Sequence, residues 1–175
     1  MKNLIILNAV LGALMLQAQK GKIFPTVIGV SLTDKSMSLP IKNGKKSVVA
    51  IAFHKSAEDE LKKWLNPLYE TFMNKDKGKN SLDMSEAHDV NFFFVPLIGG
   101  LKMVANKFKE TTDKAFWPYV MDTDKWDIKV QAKALDIEDN KVPYIFILDK
   151  EGKVLEVQSG NYKEDKVDKL EEAVE

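Results

Sequence analysis

Short apolar runs separated by polar segments divide the chain into alternating predicted strands and helices. The runs "SVVAIAF" at 47–53, "VNFFFVP" at 90–96 and "PYIFILD" at 143–149 are nearly continuous, which is typical of strands buried on both faces of a sheet. The segment after the first run instead carries apolar residues at helical spacing, which predicts an amphipathic helix. These residues are Leu61, Trp64, Leu65, Leu68 and Phe72.

The remaining segments continue this alternation. A hairpin around "TDKS" is predicted within 24–40, helices restart at "GGLKMVANKF" and "DIKVQAKALDI", and "YVMD" is predicted to be a short strand. The "KEGK" turn and "VLEVQS" close a second hairpin before a last helix. Strands that alternate with helices predict an α/β fold with a central, mostly parallel sheet and helices on both faces. The N-terminal hairpin leads into it, and the last hairpin adds an antiparallel edge.

The first predicted helix carries two special signals. Ser56 followed by Asp59 three residues later resembles a capping box, and the acidic run 58–60 suits the positive end of the helix dipole. Pro67 lies inside the helix, where proline removes a backbone donor and clashes with the preceding turn. We therefore expect the helix to be kinked or split at Pro67.

The first residues predict an exported protein. Lys2 precedes an apolar run over 4–16, and a small residue, Ala18, stands where a signal peptidase would cut. An uncleaved anchor is the alternative, but this run is shorter than the about 20 residues that span a bilayer. We expect residues 1–18 to be a signal peptide and 19–175 to be one domain. That domain would be periplasmic or secreted, without an integral membrane segment after cleavage.

The charge balance and two missing residue types limit the chemistry. The 175 residues include 26 basic and 26 acidic side chains, and every basic one is a lysine. A balanced charge without arginine removes the usual electrostatic support for nucleic-acid binding, so we expect no nucleic-acid partner. The chain contains no cysteine. Disulfide exchange and thiol peroxidase chemistry both need a thiolate, so both are excluded.

His54, Glu58 and Asp59 form the best candidate for a replacement chemistry. His54 and Glu58 are four residues apart at a helix start, and such residues can face the same side. A metal would need at least three converging ligands, and the second histidine, His88, lies in the remote acidic loop "SEAHDV". Solvated histidines beside acidic residues are the simpler interpretation, so we expect no metal and no cofactor.

Two further motifs do not predict a catalytic site. Ser56 lies near His54, but no glycine-flanked nucleophile elbow surrounds it. The adjacent glycines of "LIGGLK" lack the spacing of a phosphate-binding loop or of a dinucleotide fingerprint, so they predict a turn. We therefore assign no catalytic residue from the sequence.

The segment "KAFWPYV" places Phe116, Trp117 and Tyr119 around a proline in an irregular region. Such residues form a recognition surface when they are exposed. They are core residues when they are buried, which is the more frequent case. The pattern leaves both interpretations open, and the three residues are candidate interface positions.

The C-terminal unit resembles the C-terminal half of the thioredoxin superfamily, because a strand after "VP" ends at an aspartate and a "KEGKV" turn leads to a closing helix. The resemblance implies a cis bond at Val142–Pro143 and a groove beside it, where the family pairs an extended substrate with backbone. It also places "HKSAEDEL" where thioredoxin enzymes carry their redox cysteines. The implied groove residues are His54, Ser56, Glu58, Asp59, Val142 and Pro143.

A longer series of segments resembles a narrower family. In chain order these are "SLTDKSMSLP", "SVVAIAF", "SAEDELKKWLNPLYETF", "FFFVPLIGG" and "ALDIEDNKVPYIFILDKEGKV", followed by "SGN". They are similar to the mitochondrial ATP synthase assembly chaperones and their bacterial relatives, which carry a cysteine-poor, peroxiredoxin-like domain. The resemblance implies an assembly or chaperone function with a protein partner.

Three functions are compatible with the sequence. The first, which we expect, is an exported, redox-inactive thioredoxin-like protein that binds a polypeptide near His54 and Pro143, because losing the cysteines removes the reaction and leaves the groove. The second is a non-thiol enzyme or metal-binding protein that uses His54 with Glu58 or Asp59. The third is a structural exported domain without a groove function.

Overall fold

Strands and helices alternate along the chain, as the apolar pattern predicts. The computed structural model of the chain describes residues 18–73, 88–96, 102–123 and 125–175. Its strands are β1 (Val27–Ser31), β2 (Ser36–Leu39), β3 (Ser47–Ile51), β4 (Asn91–Val95), β5 (Met121–Thr123), β6 (Tyr144–Leu148) and β7 (Val154–Ser159). Its helices are α1 (Glu58–Phe72), α2 (Lys102–Glu110), α3 (Lys125–Ala134) and α4 (Glu164–Glu172). None of the helices described there is both long and apolar enough to cross a membrane.

The central sheet has the strand order β4-β3-β6-β7. β3 lies parallel to β4 and antiparallel to β6, and β6 lies antiparallel to β7. The antiparallel C-terminal edge is confirmed, but the prediction of a mostly parallel sheet was wrong, since β3–β4 is the one parallel pair among these described strands. A strand buried on both faces shows the same apolar pattern in either direction, so its burial was predictable and its direction was not.

The N-terminal hairpin forms a smaller sheet. β1 pairs antiparallel with both β2 and β5, in the order β2-β1-β5. A parallel bridge between Phe94 and Val120, with a 2.9 Å hydrogen bond from the Phe94 amide to the Tyr119 carbonyl, joins this sheet to β4. The predicted hairpin around "TDKS" is therefore confirmed, and it reaches the central sheet through β5.

Every residue of β3 is buried, and its side chains alternate between two apolar clusters. Val48 and Ala50 face the cluster to which α1, α2 and α4 contribute. Val49 and Ile51 face the other cluster, which contains residues of the hairpin and Leu135 just after α3. The central sheet is thus covered on both faces, and its middle strand is held from both sides.

The helix α1 buries the face that the periodicity predicts. Its buried apolar residues are Leu61, Trp64, Leu65, Leu68 and Phe72. The helix runs without interruption through Pro67, so the predicted split there was wrong. Burying these side chains contributes roughly 1.5 to 3 kcal/mol each, which together outweighs the cost of about 3 kcal/mol for a proline inside a helix.

The loop before β6 is held by Tyr144. This residue is 6% exposed, and its hydroxyl donates a 3.1 Å hydrogen bond to the Asp139 carbonyl. Its ring meets that of Phe53 edge-on, with 5.8 Å between the centroids. Burial, with a smaller effect of the Asp139 and Glu138 carboxylates, raises the pKa of Tyr144 to about 12. The loop over 139–143 therefore has a fixed position at the start of β6.

The peptide bond between Val142 and Pro143 is trans. The described residues contain one cis peptide bond, Leu39–Pro40, so the cis bond that the thioredoxin resemblance implies at Val142–Pro143 was wrong. Trans is the default for a bond before proline. Here the chain enters the ladder of β6 directly after Pro143, whose carbonyl accepts a 3.0 Å hydrogen bond from the Gly160 amide.

Replacing Tyr144 with phenylalanine should change how stability depends on pH. The folded wild type keeps the phenol proton up to about pH 12, whereas the unfolded chain releases it near pH 10. The unfolded state then binds fewer protons, so the free energy of unfolding falls by roughly 2 kcal/mol as pH rises through this interval. Tyr144→Phe removes the hydrogen bond to Asp139, so its free energy of unfolding at neutral pH is about 1 kcal/mol lower than that of the wild type. Because it has no phenol to ionise, its free energy of unfolding does not show this decline.

Urea unfolding from about pH 8 to about pH 12 measures the difference. Tyr144→Phe should be less stable than the wild type at the lower pH and more stable at the higher one. Tyr162→Phe removes an exposed phenol and is the control. A difference between wild type and Tyr144→Phe that stays constant with pH would contradict the burial of the Tyr144 hydroxyl.

Candidate functional site

β3 and β7 finish, and β6 begins, at the same end of the central sheet. Ile51, the last residue of β3, pairs with Tyr144, the first residue of β6, and Tyr144 pairs on its other side with the last residue of β7. The segments that follow β3, precede β6 and follow β7 therefore lie side by side. These segments, 53–59, 139–143 and 160–162, are called the groove edge below.

The turn from β3 into α1 is closed by His54. Its Nδ1 accepts a 3.1 Å hydrogen bond from the Ser56 amide and lies 2.8 Å from Ser56 Oγ. Its carbonyl accepts a 3.0 Å bond from the Ala57 amide, and Lys55–Ala57 forms a short 3-10 turn. The imidazole is exposed, but Nδ1 already serves as an acceptor inside the turn.

The predicted capping box of Ser56 and Asp59 does not form. Ala57 precedes α1 and makes no side-chain cap, while Asp59 is exposed. The 3-10 turn is the physical reason, because it places Ser56 inside the turn and gives the capping role to His54.

The side chain of Glu58 is directed inward. Glu58 is 8% exposed, its Oε2 forms an ion pair with Lys55, and its Oε1 is buried without a hydrogen-bond partner among the described residues. His54 and Glu58 thus have different partners, Ser56 for the histidine and Lys55 for the carboxylate. No contact between described residues joins them into an acid–base pair, and the enzyme interpretation gains no support from this geometry.

The loop after β7 forms the other wall of the groove edge, and the sequence did not predict this role. Trp64, at 0% exposed, donates from Nε1 to the Gly160 carbonyl at 3.0 Å. Glu60 Oε1 accepts a 3.1 Å bond from the Tyr162 amide, and the Tyr162 ring meets Trp64 edge-on at 5.6 Å between centroids. Tyr162 remains 38% exposed. The available signal was the glycine of "SGN", which has a φ of +80°.

Two side chains that bind this loop have shifted pKa values. The hydrogen bond from Lys63 lowers the pKa of Glu60, with a further contribution from the amide that Glu60 accepts. Burial lowers the pKa of Lys166, whose Nζ donates to the carbonyls of Ser159 at 2.6 Å and Asn161 at 2.9 Å. Side chains of α1 and α4 thus hold the loop on the groove edge.

Val142 offers unpaired main-chain groups between these walls. It is half-buried, and neither its N–H nor its C=O has a hydrogen-bond partner in the described part of the chain. On either side of it, the Lys141 amide donates to Asp139 Oδ1 at 3.0 Å and the Pro143 carbonyl accepts from Gly160. Unpaired main-chain groups at a sheet edge can pair with an added extended segment.

The second histidine lies elsewhere and has its own partners. His88 Nε2 is 3.0 Å from Glu171 Oε1, and its ring contacts Phe72 at 5.6 Å between centroids. The neighbouring Asp89 forms an ion pair with Lys45. Within the residues that the structure describes, no group of three or more His, Asp or Glu side chains is arranged to hold a metal ion.

The aromatic candidates Phe116, Trp117 and Tyr119 lie beside the C-terminal half of α1. All three are half-buried and pack against the apolar cluster of that helix. Phe116 meets Tyr69 edge-on at 4.7 Å between centroids, and Tyr119 meets Phe92 at 5.9 Å. They contribute to the core and still present part of their surface, so the interface role stays a prediction.

Comparison with solved structures shows a thioredoxin-like fold. The thioredoxin domain of a thiol-disulfide oxidoreductase from Bacteroides vulgatus is 22% identical, with a TM-score of 0.63 over 89% of this chain and 98% of that one. A thioredoxin family thiol:disulfide interchange protein from Chlorobium tepidum is 15% identical, with a TM-score of 0.56 over 89% and 98%. Yeast Sco1 with copper bound is 14% identical, with a TM-score of 0.55 over 89% and 94%. At these identities the likeness shows the fold alone.

The family assignment comes from the sequence as a whole. No curated protein matches the chain. The family model described as ATP10 protein matches residues 13–175, which include the whole groove edge. This match confirms the resemblance to the assembly-chaperone family, and the structural neighbours confirm the fold class. The chain belongs to the ATP10 protein family and has a thioredoxin-like fold.

Proposed function

We propose that the protein is an exported, redox-inactive factor of the assembly or chaperone type that binds an extended polypeptide segment at the groove edge. Membership of the ATP10 protein family supports an assembly role with a protein partner. The thioredoxin-like fold supports the location, because thioredoxin folds present extended substrates along the backbone there. The chain has no cysteine and supplies no thiolate, so binding is not followed by disulfide exchange.

The unpaired main-chain groups of Val142 are the observation that carries this proposal. An extended client segment can place one C=O and one N–H opposite Val142 and form two hydrogen bonds there. Each bond contributes about 1 kcal/mol, which is about fivefold in affinity. The loop is already held by Tyr144 and by the bond between Lys141 and Asp139, so binding requires little further ordering.

The two walls of the groove edge differ in chemistry. His54 and Asp59 present exposed polar groups on the side of α1. Tyr162 presents a partly exposed ring on the side of β7, and its backbone is fixed by Glu60. A client bound along Val142 would therefore meet a polar wall on one side and an aromatic one on the other. The aromatic wall favours a large apolar client side chain there.

Export is the second part of the proposal, and it rests on the leader predicted at 1–18. The packing around Gln19 supports this boundary. Gln19, the residue after the predicted cleavage point, is 2% exposed, and its Nε2 donates to the Asp136 carbonyl at 3.4 Å. The next residue, Lys20, forms an ion pair with Glu156. Gln19 and Lys20 therefore belong to the packed domain, which is compatible with a cleavage point before them.

The mature protein should begin at Gln19. Intact-mass spectrometry of the protein purified from its own host, after separation of cytoplasm, envelope and medium, tests this. We expect the mass of residues 19–175 in the envelope or the medium. A cytoplasmic protein that keeps residues 1–18 would contradict export.

The variant Val142→Pro should weaken client capture without unfolding the protein. Proline removes the Val142 N–H, which has no partner in the described chain, so the folded state loses no hydrogen bond. The complex loses one, and we expect capture to fall about five- to tenfold. The measurement is photo-cross-linking from a benzophenone side chain at the exposed Lys141, in envelope fractions of cells that produce the full-length protein.

Val142→Ala is the matched control for this variant. It keeps the N–H and shortens the side chain, so it should retain capture. The melting temperature of each variant checks the fold. If Val142→Pro captures as much client as the wild type at an unchanged melting temperature, main-chain recognition at Val142 is wrong. Equal losses in the two variants would assign recognition to the valine side chain instead.

A further inference from the structure

A second surface lies where α1, α2 and the turn before β5 meet. Lys62 and Tyr69 are seven residues apart on α1, which is about two turns, so they lie on the same side of the helix. The Tyr69 ring contacts the turn, and Lys62 contacts α2. This surface is called the lysine–aromatic face and consists of Lys62, Tyr69, Phe108, Lys109, Lys114, Phe116 and Trp117.

The aromatic part of the face is rigid. Phe116 stands perpendicular to Tyr69, with 4.7 Å between centroids and an interplanar angle of 90°. Trp117 donates from Nε1 to the Thr112 carbonyl at 3.1 Å. Asp113 caps the turn, because its Oδ1 accepts a backbone amide at 2.9 Å. A surface whose side chains are already fixed pays little ordering cost when a partner binds.

Three lysine ammonium groups lie over these rings. The Nζ of Lys62 is 5.4 Å from the Phe108 centroid, and those of Lys109 and Lys114 are 5.4 Å and 5.9 Å from the Trp117 centroid. These distances lie within the range of about 6 Å for cation–π contacts. Over the described ranges, none of the three ammonium groups has a carboxylate at ion-pair distance.

Two of these lysines share one ring, that of Trp117, whereas the cation–π contact described outside this face joins a single lysine, Lys166, to Trp64. The chain has as many acidic as basic residues, and five other described lysines form ion pairs with carboxylates. Asp113, the acid in the turn itself, uses its Oδ1 to cap the backbone. The face therefore presents three ammonium groups on a fixed apolar surface, and none of the three has a carboxylate at ion-pair distance in the described chain.

We propose that the lysine–aromatic face docks an acidic polypeptide segment. Glutamate and aspartate side chains supply the carboxylates that the three ammonium groups lack, and the rings and lysine stems supply apolar contact beneath them. Nucleic acid is the other polyanion. The Trp117 ring, which base stacking would use, is already covered by two lysines, and the chain has no arginine to grip phosphates in bidentate fashion. This docking goes beyond the groove edge and does not depend on it.

The test is fluorescence anisotropy of a dye-labelled, glutamate-rich unstructured peptide, titrated with the full chain in non-ionic detergent. We expect the triple variant Lys62→Gln, Lys109→Gln, Lys114→Gln to bind about tenfold or more weakly than the wild type. Raising the salt concentration should also weaken binding of the peptide to the wild type, because salt screens these charges. Lys62 and Lys114 are exposed and Lys109 is half-buried. Glutamine keeps most of the length of each side chain, so the variants should keep a melting temperature close to that of the wild type.

A second triple variant provides the matched control. Lys42→Gln, Lys133→Gln, Lys150→Gln removes the same charge from exposed lysines elsewhere, and it should bind within about twofold of the wild type. Val142→Pro should also bind normally, which separates this face from the groove edge. The proposal would be overturned if both triple variants weakened binding equally or if the peptide did not bind at all. It would also be overturned if a single-stranded oligonucleotide bound more tightly than the peptide and the first triple variant weakened that binding.

Discussion

The pairing of β3 with β6 is the constraint on which the rest of the structure depends. β3 is buried on both faces, so the two apolar clusters fix its position. The pair Ile51–Tyr144 then determines which segments lie beside each other at the groove edge. Because β6 runs antiparallel to β3, the residues before β6 lie at the same edge as the residues after β3. A shift of one residue would turn every β6 side chain to the opposite face and would move the Tyr144 hydroxyl away from Asp139. The groove edge is therefore a consequence of how the core packs.

In the proposed function, the protein uses its main chain at this edge, where thioredoxin-fold oxidoreductases use thiols. His54 Nδ1 is engaged in a local turn, Glu58 is paired with Lys55, and the chain has no thiol. The main-chain groups of Val142, beside Pro143, have no partner in the described chain and are the ones that we propose the client uses. Main-chain pairing tolerates many client sequences, and the neighbouring side chains add selectivity. The lysine–aromatic face differs in kind, because the docking proposed there selects a partner by its charge. A factor with both surfaces can hold an extended segment at one place and an acidic segment at another.

The sequence predicted burial well and direction poorly. The continuous apolar runs located β3, β4 and β6, and the helical spacing from Leu61 to Phe72 located the buried face of α1, because burial requires apolar side chains at fixed intervals. Contacts between distant segments, which a local pattern does not contain, determine the features that were predicted wrongly. These are the direction of the strands, the trans bond before Pro143 and the continuity of α1 through Pro67. The site shows the same division. His54 was located at the end of β3, but the wall at Gly160 and Tyr162 exists only because Trp64 and Glu60, about a hundred residues away, bind its backbone.

Amide hydrogen exchange at Val142, in the free protein and in the complex with a captured client, tests main-chain recognition at the groove edge. If the client pairs with Val142, this amide exchanges quickly in the free protein, whereas the amides within β6 exchange slowly, since those are buried between β3 and β7. We also expect the Val142 amide to become protected when the client binds. A Val142 amide that is already protected in the free protein, or that stays unprotected in the complex, would contradict main-chain recognition at the groove edge.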